Sequence, residues 1–389
     1  TVSISLRWQQ LCVHSRVLAT CGVPTAEVRA LMAASGLGRA AAVGELFLVI
    51  LSAACGNCAS SAPTMLLLAM INKLQEGTTR PGRLLVINDG TFASSVMHGG
   101  ARGFTRVVRL EHTALHTHTV DVSSALDVTT VRALAVPSSE PEVSWCGKVH
   151  RVSRLRACNT IESSSVDLAG GIYVITGGLG GLGLRAAAML MDSGASGMLL
   201  ASRRGLARRG DQGVDTQSGA APVITSDAAV ASDLVSLLCI FPASGVLHAA
   251  GILRDKMIRS MVAADVADVF LSKAVGASLL HSAVASNPHE TMCLFSSIAS
   301  TFGNVGQANY AAANGCMDAL ACLQRLSGVR AFSLQIPAVS GTGMGASAFD
   351  TKQLEAMGGV SLDEFAAFLC LSLAPTHGSS ESAQAPVPQ

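Results

Sequence analysis

The chain has 389 residues, 49% of them hydrophobic and 14% charged, and its 27 basic and 26 acidic side chains leave a net charge of +1. That length accommodates two domains, or one domain with a large companion, and the composition supplies a large core while arguing against extended disorder. The near-neutral balance excludes an electrostatic case for nucleic acid or for an anionic membrane surface.

The first residue is Thr1 rather than Met, which reads as a piece of a longer polypeptide, and residues 1–10 lack the basic-then-apolar order of a secretory signal. Residues 1–43 carry no pattern that places them. The most apolar stretch, 40–56, is interrupted by Glu45 and leaves about ten apolar residues where roughly twenty cross a bilayer, so it reads as a buried strand. Cys55 and Cys58 have CxxC spacing without a second pair at zinc-like distance. The eleven cysteines show no disulfide framework and suit the core of a reduced intracellular protein. Apolar bursts at 46–51, 84–87 and 107–110, set apart by Gly- and Pro-containing turns, alternate with an amphipathic helix over 65–75, the pattern of an α/β architecture. His112, His116 and His118 fall on a polar stretch that reads as an exposed loop rather than a metal site. No phosphate-binding glycine loop occurs in this half, which ends near Ser163, Ser164 and Ser165.

Downstream, the apolar run 171–175 leads directly into Thr176-Gly177-Gly178-Leu179-Gly180-Gly181-Leu182-Gly183. A helix over 184–191 and a strand over 198–201 complete a βαβ unit. Gly178, Gly180 and Gly183 fit the dinucleotide fingerprint, and Gly177, Gly181 and Gly183 fit the GxxxGxG spacing of short-chain dehydrogenases. Backbone amides at a helix N-terminus can cradle a pyrophosphate only where no Cβ intervenes; the competing reading is a plain glycine turn. The second strand ends in Ser202-Arg203-Arg204. An acidic residue there would bind ribose hydroxyls, whereas Ser and Arg suit a 2′-phosphate, so the expected cofactor is NADPH; the alternative is a solvated basic turn continuing to Arg208 and Arg209. Strand runs at 222–225, 245–248, 291–295 and 331–335 with helices between them assemble as a Rossmann-like, doubly wound parallel sheet. Asp227 is placed to reach the adenine, and His248-Ala249-Ala250-Gly251 offers small residues for the cofactor to lie against. A packing helix covers 362–373, and 376–389, rich in Ser, Ala, Gln and Pro, reads as a flexible linker.

The segment 295–310 carries Ser297 and, thirteen residues on, Tyr310; Asn314 follows one helical turn later. These motifs, in this chain order, resemble the ketoreductase domains of type I polyketide synthases and animal-type fatty-acid synthases, complex members of the short-chain dehydrogenase/reductase superfamily. The resemblance matches their catalytic lysine to Lys273, in Leu271-Ser272-Lys273-Ala274-Val275-Gly276-Ala277. It implies that Tyr310 donates the proton, Ser297 holds the carbonyl and Asn314 orders the link to the lysine. A free tyrosine has a pKa of roughly 10, and a nearby ammonium favours its phenolate. The implied reaction is NADPH-dependent reduction of a carrier-bound β-ketoacyl thioester to the β-hydroxyacyl form. The implied partners are an acyl carrier protein with its phosphopantetheine arm and neighbouring megasynthase domains, without nucleic acid or membrane, in the cytoplasm or, left open, a plastid.

In modular polyketide ketoreductases a Leu-Asp-Asp motif after the fourth strand marks the D-3-hydroxy product, and a tryptophan eight residues before the tyrosine marks the opposite hand. Here Leu253-Arg254-Asp255 keeps the first and last positions of the motif, and the tryptophan position is Phe302. The resemblance implies a D product, with Leu253, Asp255, Phe302, Gln307 and Met344 on the substrate side; the plainer alternative is that Asp255 caps the following helix. Residues 99–109 with Glu111-His112, then 142–155, resemble the degenerate structural subdomain that precedes such ketoreductases. That gives a structural part over 1–165, a catalytic part over 166–375 and a linker over 376–389. Two departures stand out: Ile336-Pro337 where the family has Trp-Gly, and a short 205–222 stretch. The remaining alternatives are a non-catalytic structural domain of a megasynthase and a free-standing short-chain dehydrogenase.

Overall fold

The structure, a computed structural model, describes residues 9–12, 15–21, 45–52, 59–77, 82–89, 96–122, 139–146, 149–155, 170–205, 221–240, 243–284, 291–340 and 358–374. In the N-terminal part these form β1 (Gln9–Cys12), β2 (Ser15–Cys21), β3 (Glu45–Ser52), α1 (Ala62–Gly77), β4 (Gly82–Asp89), α2 (Val96–Glu111), β5 (Leu115–Val122), β6 (Glu142–Cys146) and β7 (Val149–Arg151). Then come β8 (Ile172–Thr176), α3 (Gly181–Asp192), β9 (Gly197–Ser202), β10 (Val223–Thr225), α4 (Ala231–Ile240), β11 (Gly245–His248) and α5 (Ala263–Phe270). A π-helical turn (Leu271–Val275) leads to α6 (Gly276–Val284), β12 (Thr291–Ser297), the single turn α7 (Ala299–Phe302), α8 (Ala308–Leu326), β13 (Ala331–Ile336) and α9 (Leu362–Leu373). The Cys55/Cys58 pair, the 163–165 boundary, Met344 and the 376–389 linker lie outside the described residues.

The chain divides into two compact units: Thr1–Arg156 with Arg254–Phe270 and Ala299–Leu323, and Ala157–Leu253 with Leu271–Ile298 and Gln324–Gln389. In the first, strands β1 to β7 lie side by side in sequence order, parallel from β2 to β6 and antiparallel at the two edges. Leu84, Leu85, Val86 and Ile87 of β4 are all buried, the near-continuous apolar run of a parallel strand covered on both faces. Helices α1 and α2, which connect successive parallel strands, pack against each other.

Two sequence expectations change in this unit. Residues 107–110 are the last turn of α2, where Ala101, Phe104 and Val108 recur at helical spacing along the buried stripe. The 112–118 stretch is a turn only over 112–114: β5 starts at Leu115, where exposed His116 and half-buried His118 alternate with buried Thr117 and Thr119. β-Branched threonines on the inner face favour that strand. Among the described residues no cluster of three His, Cys, Asp or Glu side chains stands ready for a metal.

Helix α2 also packs on α8 through small residues. A Cβ on Gly99 would stand 2.1 Å from the Gly315 carbonyl oxygen, and one on Gly315 would stand 2.3 Å from that of Gly99, so the two backbones touch. Ser300 in α7 is fixed to α8 through its Oγ, which donates to Asp318 Oδ2 at 2.6 Å.

The second unit is a six-stranded parallel sheet of order β10-β9-β8-β11-β12-β13. It is the Rossmann-like, doubly wound arrangement read from the sequence, with the strand order reversing between β8 and β11. Helix α9 starts where residues 361–364 form a capping box: Ser361 Oγ accepts from the Glu364 amide, and the Glu364 carboxylate accepts from the Ser361 amide. Among the described residues no helix is long and apolar enough to cross a membrane.

Gly315→Ala is expected to lower stability by about 1–3 kcal/mol despite the roughly 1 kcal/mol helix-propensity gain of alanine. Gly197→Ala, whose Cβ would meet only Ile172 at 3.7 Å, is expected to be near neutral. Thermal unfolding of the two variants tests the contrast.

Candidate active site

The strand-to-helix turn after β8 is built from backbone contact. Gly177 has φ +69, and a Cβ on it would lie 2.6 Å from the Ala250 amide nitrogen and 2.7 Å from the Ala249 carbonyl carbon. Only glycine allows both that conformation and that approach. Helix α3 follows, with Gly180 as an extended N-cap and no side chain capping it, so the amides of Gly181, Leu182 and Gly183 begin a helix whose positive end is open to an anion. A dinucleotide pyrophosphate fits this donor set. At the end of β9, Ser202 Oγ accepts from the Gly205 amide at 3.1 Å, and Arg203 and Arg204 are exposed. Asp227 closes its own turn, Oδ1 accepting from the Ala229 amide. Thr176 is buried, Leu179 and Leu182 pack at the edge of the apolar core, and Ala249, Ala250 and Gly251 are half-buried beyond β11.

Beneath this turn runs a buried polar chain within the second unit. His248 is fully buried; its Nδ1 lies 2.7 Å from Thr176 Oγ1 and its Nε2 lies 3.0 Å from the Lys273 carbonyl oxygen. Both ring nitrogens are therefore engaged inside the protein, and whatever this position offers a ligand comes from its backbone. Lys273 sits in the π-helical turn, 3% exposed, with its stem against Gly251 and its ammonium donating to the Phe295 carbonyl at 2.9 Å. A π turn inserts one residue per turn and re-aims the side chains within it. Ser297 ends β12, half-buried and paired with Ile336 of β13. Leu253, also half-buried, closes this stretch of the unit.

Tyr310 and Asn314 belong to the first unit, on the opening turns of α8. Asn309 fixes that turn: its Oδ1 accepts from the Tyr310 amide at 2.8 Å, while its Nδ2 donates to the carbonyls of Arg254 and Asp265. Asn314 Nδ2 donates to the Tyr310 carbonyl at 2.9 Å, and its buried Oδ1 has no hydrogen-bond partner among the described residues. Asp255 accepts from Gln307 Nε2 at 2.8 Å. The helical turn that follows it, Ile258–Ser260, has Met257 as its N-cap with no side-chain cap, so the capping alternative for Asp255 does not hold. Phe302 is 58% exposed.

The family profile described as the KR domain matches residues 171–341. A 6-methylsalicylic acid synthase of Arthrobotrys oligospora is 30% identical over 326 residues, covering 77% of this chain and 18% of that protein. A phenolphthiocerol/phthiocerol polyketide synthase of Mycobacterium tuberculosis is 32% identical over 268 residues, 64% of this chain and 14% of its own.

Residues 171–341 are a KR domain of the polyketide synthase kind.

The chain spans less than a fifth of the length of those two relatives. In fold it is similar to the first ketoreductase of the tylosin polyketide synthase, with a TM-score of 0.74 at 23% identity, over 94% of this chain and 89% of that one. The ketoreductase from the first module of phoslactomycin biosynthesis in Streptomyces sp. HK803 gives 0.70 at 24%, over 94% and 88%.

Two positions in and around the KR domain escaped the sequence reading in their structural role. Asn309 was visible only as part of the tyrosine segment, although an Asn in a first helical turn is a known local hydrogen-bonder. His248 read as one of a run of cofactor-facing residues, and a lone His on an apolar strand gives no sign of the two partners it has.

Burial, then the nearby Lys273 charge, push the His248 pKa down to about 4. The unfolded chain takes up this proton below about 6.5 and the folded chain only near 4. Stability from this group is thus complete above pH 6.5 and is lost as pH falls toward 4, by up to roughly 3 kcal/mol. His248→Gln is expected to flatten that acid limb in urea unfolding at pH 4.5 and 7.5.

Proposed function

We propose that this chain reduces a carrier-bound β-ketoacyl thioester to the β-hydroxyacyl thioester with NADPH, as one reductive step of polyketide or fatty-acid assembly. One observation carries the reading: Lys273 is buried, its ammonium held on the β12 carbonyl of Phe295 two residues before Ser297. Burying an ammonium is costly and rare unless a site requires it, and this one lies in a KR domain, behind a glycine turn suited to a dinucleotide.

The glycine turn from Gly177 to Gly183 would hold the pyrophosphate, Ser202, Arg203 and Arg204 the 2′-phosphate, Asp227 the adenine, and Ala249, Ala250 and Gly251 the face of the bound dinucleotide. NADPH supplies the hydride when bound. Ser297 would donate a hydrogen bond to the ketone oxygen and keep it in line. Tyr310 would give its phenolic proton to that oxygen as negative charge develops there. The Lys273 ammonium would favour the phenolate left behind, and Asn314, fixed through its Nδ2, would use its free Oδ1 in resupplying the proton. Leu253, Asp255, Phe302, Gln307 and Met344 would face the acyl thioester and its phosphopantetheine arm, presenting the ketone for the D-3-hydroxy product. Residues 1–165 would be the structural part, 166–375 the catalytic part and 376–389 a linker, in a cytoplasmic or plastid megasynthase with an acyl carrier protein as partner.

The purified chain is expected to oxidise NADPH when given a β-ketoacyl thioester mimic, and Tyr310→Phe to be slower by about 100-fold or more. Chiral chromatography of the product is expected to show mainly the D form. An equally fast Phe variant, or mainly L product, overturns the corresponding assignment.

Arg203→Ala is expected to weaken NADPH binding by about tenfold or more and to leave NADH binding within about twofold, because only the former carries the phosphate that a guanidinium grips. Equal losses for both, measured by cofactor fluorescence titration, would remove Arg203 from phosphate recognition.

A further inference from the structure

We propose that Glu111, the last residue of α2, is a positioning residue that ties together the two loops presenting the substrate. Its Oε1 accepts from the Gly306 amide at 2.8 Å and its Oε2 from the Ile258 amide at 2.7 Å. The first amide belongs to the segment that enters α8 ahead of Tyr310; the second opens the turn that follows Asp255. The same loops meet again through the Lys256 amide on the Gly306 carbonyl at 2.8 Å and through the Gln307–Asp255 hydrogen bond. Glu111 thus accepts from both loops at once, one on each carboxylate oxygen, where a carboxamide has a single acceptor oxygen.

The rest of α2 is shaped for this task. Arg106, anchored on Glu142 through Nε at 2.7 Å, donates through Nη1 to the Ser300 carbonyl at the start of the same segment. Between these two anchors Gly303, with φ +73, lies over the α2 backbone: a Cβ there would come within 3.1 Å of the Arg106 carbonyl and 3.0 Å of the Leu110 side chain. Helix α2 therefore grips the 299–307 segment at both ends and supports its middle. The consequence, which rests on the ketoreductase reading, is that the face of the ketone offered for reduction depends on a residue outside the KR domain, in the part of the chain without a dinucleotide turn.

The test compares the full chain with Glu111→Gln, which keeps one acceptor and turns an amino group on the other amide. Hydrogen–deuterium exchange by mass spectrometry is expected to speed up at least tenfold in peptides covering 254–260 or 303–309, with α1, β4 and the remainder of α8 unaltered. With the thioester mimic, the ratio of the two hydroxy enantiomers is expected to fall at least tenfold, while the rate on a small cyclic ketone that lacks a thioester arm falls less than threefold. Unaltered exchange in both loops overturns the clamp. Faster exchange throughout α2 and α8 makes Glu111 merely structural and overturns it as well. Faster loop exchange with an unchanged enantiomer ratio overturns the link to substrate presentation. Absence of reduction by the wild-type chain marks failure of the ketoreductase reading and takes that link with it, whereas an active wild type with an unchanged ratio marks failure of this inference alone. If Glu111→Gln does not fold, Glu111→Asp, which keeps the charge but not the reach, is read in the same way.

Discussion

The second unit depends on a contact between two stretches of backbone. Where β8 turns toward α3, Gly177 lies against Ala249 and Ala250 at the end of β11, with no room for a side chain between them. These are the two strands at which the sheet order reverses, and a reversal is where a doubly wound sheet opens a crevice beyond its strand ends. A buried polar chain joins elements of the same sheet: the His248 ring joins β8, through Thr176, to the π turn, through the Lys273 carbonyl, and the Lys273 ammonium joins that turn to β12. Each of these three buried side chains has its partner, which is the condition for such a network to rigidify rather than weaken a core.

The first unit shows what the same building blocks do without the reversal. Its parallel strands run in sequence order, so no switch point arises among the described strands. The ends of β4 and β5 are filled by side chains of the unit itself: Asp121 is paired with Arg102 and accepts from Asn88 Nδ2 at 2.8 Å. What the unit does carry is α8, through the backbone crossing at Gly99 and Gly315 and the Ser300–Asp318 hydrogen bond. Tyr310 and Asn314 lie on this helix in the first unit, and Lys273 and Ser297 lie in the second. Small residues packed backbone to backbone hold α8 in place at the cost of tolerance to any larger side chain.

This division explains which parts were legible in the sequence. The β8–turn–α3–β9 unit announces itself because hydrophobic spacing changes from strand to helix across a run of glycines, and a short apolar strand buried on both faces has few alternatives. Element bounds followed closely where a cap was written into the chain, as at Ser361 and Glu364. Misreadings came where the deciding partner is remote. Residues 107–110 look like a strand fragment until Ala101 and Phe104 are counted with them, and His116 and His118 look like part of a loop until β4 is placed beside them. Lys273 was singled out by resemblance alone, and nothing in Leu271–Val275 signals a π turn. Glu111 touches the amides of Gly306 and Ile258 yet is far from both in sequence, and no local rule links them.

The departure at Ile336-Pro337 can be judged in the same terms. Ile336 is the last residue of β13, in register with Ser297, and its carbonyl accepts from the Ile298 amide, so the strand pairing beside the serine continues to its end. The side chain is buried with Phe295, Val339 and Phe365, which places it in the apolar core of the unit. Pro337 follows at the edge of the sheet, where a residue without an N–H interrupts no ladder. A branched aliphatic residue with proline behind it is therefore a stable ending for this strand, and it preserves the backbone register that sets Ser297.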